Sequence, residues 1–373
     1  MFIENKNEII DNVFNNFNGK AKSILVDGLK EKLHLYLQSI EKETSVHFNS
    51  TEGIDFYTRS SEFSPYVKLI GIIEIIKIVK RHIGNYENKV GVDFLGGSGQ
   101  LRKVISSLSD NFGENFYTAD KSIKQIIQGL NKKYTMIPCD ITNPYIIKNN
   151  SIDWALIAYG FHHIQPNKRI TSLRAVYDKV RSGGILVLHD GFKGSSTIDI
   201  MEKVVDVYSK EKHIYPFLKI EDFDKYGDYF KSTFNANIYR YGIYDPQIFI
   251  GESLSSTINQ FSKYMKYHYY LDIEEDCIFD IFKKVLLEYS EKEHDSNTRK
   301  YLRLEEKNLT SASCRYVFDE NNNRKANALN LYTGLCPSDI STEYTKVLKI
   351  DEKYFNNCLI VPRFAHILVI EKK

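Results

Sequence analysis

At 373 residues the chain has room for one large domain or two ordinary ones, and an apolar content of 42% supports a sizeable core. Lys and Arg number 50 against 48 Asp and Glu, for a net charge of +2, so no bulk field favours nucleic acid or a membrane surface. Five scattered cysteines, Cys139, Cys277, Cys314, Cys336 and Cys358, form no CxxC pair, which argues for a reducing compartment and against a disulfide frame or a zinc site.

The opening stretch Met1–Lys6 carries no signal-peptide core, so a cytoplasmic protein is expected. Residues 1–60 read as amphipathic helices, with apolar positions at Ile9, Ile10, Val13, Phe14 and Phe17 and again at Ile24, Leu25, Leu29, Leu33 and Leu35. Phe56–Ser61 is an aromatic loop. Ser64-Pro65 supplies a cap and a first-turn proline for a helix over 66–83, which Gly84-Asn85 ends. Val67–Ile83 holds Lys68, Glu74, Lys77, Lys80 and Arg81, too much charge for a membrane span.

From residue 90 strands and helices alternate. Strands are expected at 90–95, 115–119, 134–138, 152–158 and 184–189, with helices at 100–109, 121–131 and 168–181. This pitch predicts a parallel, doubly wound sheet with right-handed crossovers and a ligand at the carboxyl ends of its strands. Beyond it, 197–210, 254–269 and 274–293 read as helices, and Cys314–Phe318 and Leu329–Tyr332 as short strand-like pieces. The cluster Phe261–Tyr270 is aromatic on every side of its helix, as either packing or a wall for a flat substrate. Asn357–Glu371 is a final strand-forming stretch.

The stretch with chemistry in it is Val90–Leu101. A buried strand breaks into Gly96-Gly97-Ser98-Gly99 and a helix follows, which brings backbone N–H groups to a ligand at a helix N-terminus. The dinucleotide fingerprint fails, because Arg102 holds its third small position, and the P-loop pattern fails as well. Acids mark the strand ends instead. Asp93 precedes the turn, Asp120 ends the second strand 21 residues after Gly99 (99 to 120), and Asp140 ends the third 20 residues later (120 to 140). The second acid is placed to accept from ribose hydroxyls and the third to meet an adenine amino group. Three carboxylates and a glycine turn suit a positively charged nucleoside better than a pyrophosphate.

On these motifs, residues 90–192 resemble the core of class I S-adenosylmethionine-dependent methyltransferases of the small-molecule type. The family's acid-x-G-x-G-x-G motif lies over Asp93–Gly99, its ribose acid over Asp120 and its adenine acid over Asp140. Its fourth strand falls on Ile152–Tyr159 and its fifth on Gly183–Asp190. Leu95 departs from the pattern, standing where the family has its first glycine. The resemblance implies a Rossmann-like seven-stranded sheet, mostly parallel with an antiparallel C-terminal strand, and a large α+β insertion after strand five. It divides the chain into an N-terminal helical lid (1–88), a cofactor-binding core (89–193), an inserted substrate-recognition or dimerisation region (194–340) and C-terminal strands that complete the sheet (341–373).

The resemblance implies S-adenosyl-L-methionine as cofactor, held by Asp93, Gly96, Gly97, Gly99, Asp120, Lys121, Asp140, Ile141 and Tyr159. The reaction is then methyl transfer to an O, N or C atom of a small-molecule acceptor. A base helps if the attacking atom must lose a proton, and the candidates are His162, His163 and His189, the last beside Asp190 as its orienting acid. Each histidine has an alternative as a packed or loop residue, Asp120 as a helix-turn cap, and Asp140 as an Asx-turn acid. No acid stands at ligand spacing from His162-His163, so no metal is expected. The fourth strand lacks the Asn/Asp-Pro-Pro-aromatic exit that the family uses for nucleobase amines, which with the near-neutral charge disfavours nucleic acid as substrate, and no membrane partner is expected either. A homodimer through the insert is the expected assembly. Other chemistry on the same cofactor, such as cyclisation or decarboxylation, and a non-catalytic binding role are the alternatives.

Overall fold

Apolar runs bounded by turn residues form the strands here, and helices with one greasy face cover them. The computed structural model describes residues 6–17, 19–40, 68–84, 88–102, 105, 115–190, 192–193, 218–244, 247–250, 252–269, 358–361 and 364–373. Helices α1 (Lys6–Asn15), α2 (Gly19–Ile24), α3 (Leu29–Ile40) and α4 (Leu69–Ile83) come first. Strand β1 (Gly91–Phe94) opens the alternation, followed by β2 (Phe116–Asp120), α5 (Ile123–Asn131), β3 (Met136–Pro138) and β4 (Ile152–Ala158). Then come α6 (Arg169–Lys179) and the long β5 (Val180–Asp190). Two short strands, β6 (Phe192–Lys193) and β7 (Leu218–Lys219), pair in parallel ahead of α7 (Ile220–Phe234). The chain continues through β8 (Asn237–Tyr244), β9 (Gln247–Ile250), α8 (Leu254–Tyr269), β10 (Cys358–Val361) and β11 (Phe364–Glu371).

Seven strands form one sheet in the order β3-β2-β1-β4-β5-β11-β8. The first five run parallel, and β11 lies antiparallel between β5 and β8. Strand order reverses between β1 and β4, so the carboxyl ends of β1, β2 and β4 flank the crevice where such sheets bind ligands. This is the expected doubly wound, mostly parallel sheet with an antiparallel last strand. One detail is corrected. The stretch 357–371 does not supply both strands of an antiparallel pair to the sheet. Its first half, β10, pairs with β9 in a separate two-stranded sheet, and β8, from within 194–340, takes the place beside β11.

Both faces of the sheet are buried. One carries Val92, Phe94, Tyr117, Ile157, Leu186, Leu188 and Leu368 with α1–α3 and α5–α7; the other carries Phe116, Trp154, Leu156, Ile185, Val187 and Ile367 with α4. Successive residues therefore face opposite layers, as the two-residue period of a strand requires. On α4, Ile72, Ile75, Ile76 and Val79 fall at helical spacing and point into that second layer. Phe261 and Tyr264 of the aromatic cluster pack on Phe249, with ring centroids 5.2 Å apart in each pair. The helices expected at 197–210 and 274–293, the pieces at Cys314–Phe318 and Leu329–Tyr332, the loop 56–61 and the Ser64-Pro65 cap lie outside the described residues. No described helix is long and apolar enough to cross a membrane.

Candidate active site at the carboxyl edge of the sheet

The turn after β1 folds by three left-handed residues in five: Leu95 (φ 63°), Gly97 (φ 56°) and Gly99 (φ 80°). Leu95 thus adopts the backbone that glycine would take freely, and the turn keeps its shape without the glycine. Gly96 is needed for a different reason. A Cβ there would lie 2.6 Å from Asp93 Oδ2 and from Thr118 Cγ2. At Gly99 a Cβ would lie 2.7 Å from the Tyr134 ring, on top of the positive φ. Ser98 is buried and takes a 3.1 Å hydrogen bond from Lys132, which pins the turn to the end of α5.

Three carboxylates surround this turn. Asp93 sits within β1, wholly buried, and among the described residues neither oxygen has a hydrogen-bond partner. It does not orient the turn amides. Burial pushes its carboxyl well above the ordinary range, Asp120 pushes the same way, and Lys68 opposes both. Its neighbour across the β1–β2 ladder, Thr118, also has a buried hydroxyl without a hydrogen-bond partner among the described residues. Asp120, at the tip of β2, accepts from Gly97 N–H at 2.9 Å through Oδ2 and from Ser122 N–H at 2.8 Å through Oδ1. Burial raises its pKa, and these backbone donors counter the rise. The capping role is therefore real, and it fastens the glycine turn to β2. Two bonds leave a carboxylate about half of its roughly four acceptor sites.

Asp140, at the tip of β3, uses Oδ1 for Thr142 N–H and the Thr142 hydroxyl, both at 2.8 Å, the Asx-turn arrangement. Half-buried Lys121 follows Asp120, and buried Ile141 follows Asp140. The Tyr36 hydroxyl on α3 is buried close enough to Asp140 and Asp120 for both to help burial raise its pKa. The N-terminal helices thus reach the β2–β3 end of the edge, and the bridge Leu25–Ile147 ties them down.

At the β4–β5 end, Tyr159 turns with φ 58° and is buried. Its hydroxyl donates to the Lys68 carbonyl at 3.4 Å, and the Lys68 ammonium lies 4.8 Å from its ring centroid. His162 and His163 occupy a single 3-10 turn, Phe161–His163, with their rings 4.0 Å apart. His162 Nδ1 lies 2.9 Å from Asp190 Oδ1, and its backbone N–H donates to Asp190 Oδ2 at 3.0 Å. This corrects the pairing expected between Asp190 and His189. Adjacent strand residues point to opposite faces, so the acid at 190 cannot orient the ring at 189. His189 is wholly buried, with Nδ1 3.2 Å from the His366 carbonyl and its ring edge-on to Tyr159.

The edge therefore gathers Asp93, Gly96, Gly97, Gly99, Asp120, Asp140, Tyr159 and His162, and leaves His189 inside the core. Sequence reasoning missed Lys68, Tyr36, Thr118 and the His162–Asp190 pair. The last was open to inference, because His162 follows one strand tip and Asp190 ends the next. Tyr36 lies on α3 and Lys68 just ahead of α4, and no local pattern announces their packing. Among the described residues no group of three or more His, Cys, Asp or Glu gathers as a metal set.

No family model matches the chain, and no curated protein sequence matches it. Solved structures of similar shape include a plantazolicin methyltransferase, BpumL, in complex with S-adenosylhomocysteine: TM-score 0.44, 11% identity, covering 91% of this chain and 100% of that one. Another is phosphoethanolamine N-methyltransferase 2 of Haemonchus contortus with S-adenosyl-L-methionine, at 0.42 and 14%, covering 88% of this chain. This chain spans 61% of that enzyme's length. A third is the YcgJ protein of Bacillus subtilis, at 0.41 and 9%, covering 81% and 98%. Likeness at these scores carries no argument. The fold class rests on the strand order itself.

Proposed function

We propose that the protein is an S-adenosylmethionine-dependent methyltransferase acting on a small-molecule acceptor. The observation that carries this is the joint between Asp120 and the glycine turn. A half-buried carboxylate at the tip of β2 grips Gly97 N–H at 2.9 Å, so the turn and the acid form one rigid cradle at the strand-order reversal. The residues fit the cofactor in kind. A Cβ at Gly97 would meet nothing nearer than Gln125 at 3.6 Å, so that side of the turn is open, and Asp93 presents two buried oxygens that lack a partner among the described residues. An ammonium, such as that on the amino-acid end of the cofactor, is the partner those oxygens want.

In this reading Asp120 accepts from the sugar hydroxyls with its spare lone pairs, and Asp140 meets the adenine amino group with Oδ2, which accepts no hydrogen bond within the described residues. Lys121 and Ile141 flank the sugar and base, and Tyr159 lines the opposite end. The bound cofactor supplies an electrophilic methyl on a sulfonium. The chain's own work is to align acceptor and methyl and to exclude water, an effect worth on the order of 7–11 kcal/mol at best. Helices α1–α3 serve as the lid over the adenosyl end.

Calorimetry with S-adenosylhomocysteine tests the assignment. Asp120→Ala should weaken binding by at least about tenfold, since hydrogen bonds to a charged group are worth about 1.5–3 kcal/mol. Unchanged affinity removes Asp120 from the site.

A further inference from the structure

We propose that Asp190 and His162 form a proton-accepting couple, and that the acceptor is therefore a hydroxyl or amine whose attacking atom must shed a proton. The proposal rests on the methyl-transfer reading above. Three contacts lock the imidazole. Nδ1 lies 2.9 Å from Oδ1 and 3.1 Å from Oδ2 of Asp190, and the His162 N–H donates to Oδ2 at 3.0 Å. A carboxylate only accepts, so Nδ1 donates and the lone pair is left on Nε2. The His162 side chain is 14% exposed and that of Asp190 only 2%. The ring thus reaches outward from an anchor that does not.

The turn that carries the ring is held as well. Arg169, buried at the start of α6, donates to the Ile164 carbonyl at 2.9 Å and to the His162 carbonyl at 3.2 Å. Sinking a carboxylate costs desolvation that packing alone does not return. Gripping ring and amide of one residue at once is what a base of fixed tautomer needs. The couple stands at the tips of β4 and β5, and β4 is the immediate neighbour of β1, which carries the glycine turn. Among the described residues, the other charged or titratable groups facing it are His163 on the same turn, His366 directly across the ladder from Asp190 on β11, Arg169 on α6, and Asp222 and Tyr226 on α7, the last two of which engage Arg169.

The acceptor's lone pair bonds to the methyl carbon while the carbon–sulfur bond breaks and leaves its pair on sulfur. The acceptor's O–H or N–H bond breaks, and the proton passes to His162 Nε2. The imidazolium donates to Asp190 and then releases the proton to water. An acceptor with no such proton, a tertiary amine or a thioether, gains nothing from the couple. Asp190 acts through His162 and is a positioning residue.

The test uses the full chain, methyl-labelled S-adenosylmethionine, and catechol and tyramine set against trimethylamine and dimethyl sulfide. Affinity for S-adenosylhomocysteine is measured alongside for wild type, Asp190→Asn and Asp190→Glu. Wild type should methylate a member of the first group. Asp190→Asn should keep the S-adenosylhomocysteine affinity and the KM, but lose about 10²- to 10⁴-fold in kcat at pH 7. The deficit should shrink as pH rises toward the acceptor's own pKa, and Asp190→Glu should recover at least about tenfold of it. Transfer only to the proton-free acceptors, transfer to none of the panel, or an Asp190→Asn enzyme with wild-type kcat and pH profile overturns the proposal. Failure of wild type to bind S-adenosylhomocysteine is a different result: it removes the methyl-transfer reading, and the proposal with it.

Discussion

Leu95, Gly97 and Gly99 share one backbone region but not one reason for being there. Leu95 bears a left-handed φ of 63° despite its side chain, a strain of about 1–2 kcal/mol that the surrounding turn imposes. A Cβ at Gly97 would meet only Gln125, at 3.6 Å, so Gly97→Ala should cost about 1 kcal/mol through φ alone. Gly99→Ala adds a clash with Tyr134 and should cost about 2 kcal/mol or more, as read by urea unfolding. Equal costs would mean that the turn relaxes around both. Asp93 gives a second test. Its raised pKa lets the folded state hold a proton that the unfolded chain releases near pH 4, by the ordinary value of about 3.9. That contribution is full below this pH and is lost as pH climbs through the folded-state pKa. Asp93→Asn should therefore flatten the loss of ligand-free stability toward alkaline pH. It should also weaken S-adenosylhomocysteine by about tenfold, since the carboxylate–ammonium contact is gone. A variant that keeps the wild-type pH slope would take Asp93 out of this account.

At the scale of elements, most of the parallel half was legible in the sequence. The apolar runs before Leu95 and Tyr159 and the glycine turn after β1 are local signals, and the strands fall where those signals stand. Asp120 and Asp140 were legible because a βαβ unit has a nearly fixed length. The antiparallel end was not. β11 finds β8 across more than 100 residues, and no local pattern states which of several strand-like runs will be its partner. The pairing expected between His189 and Asp190 failed on a rule the sequence did contain, the alternation of side chains along a strand. Leu368 is fully buried in β11, between β5 and β8. Leu368→Ala should lower unfolding free energy by about 2–5 kcal/mol, measured by urea denaturation. A cost below about 1 kcal/mol would mean that β11 is not the inner strand of this sheet.

Over the whole molecule, the division of labour runs along the sheet. The β3-β2-β1 half presents acids and a glycine turn, and the β4-β5 half presents Tyr159 and the His162–Asp190 pair. Helices reach this edge from both layers: α3 brings Tyr36 to the acids, and the start of α4 brings Lys68 to Tyr159. An adenosyl group at one half would set its reactive carbon toward the other, which is the arrangement methyl transfer needs. A crystal structure of the chain with S-adenosylhomocysteine tests this most directly. The account predicts adenosyl density across the carboxyl ends of β1, β2 and β3, with the sugar on Asp120 and the glycine turn beneath it. Density at another place, or an empty edge in crystals grown with saturating ligand, would contradict it.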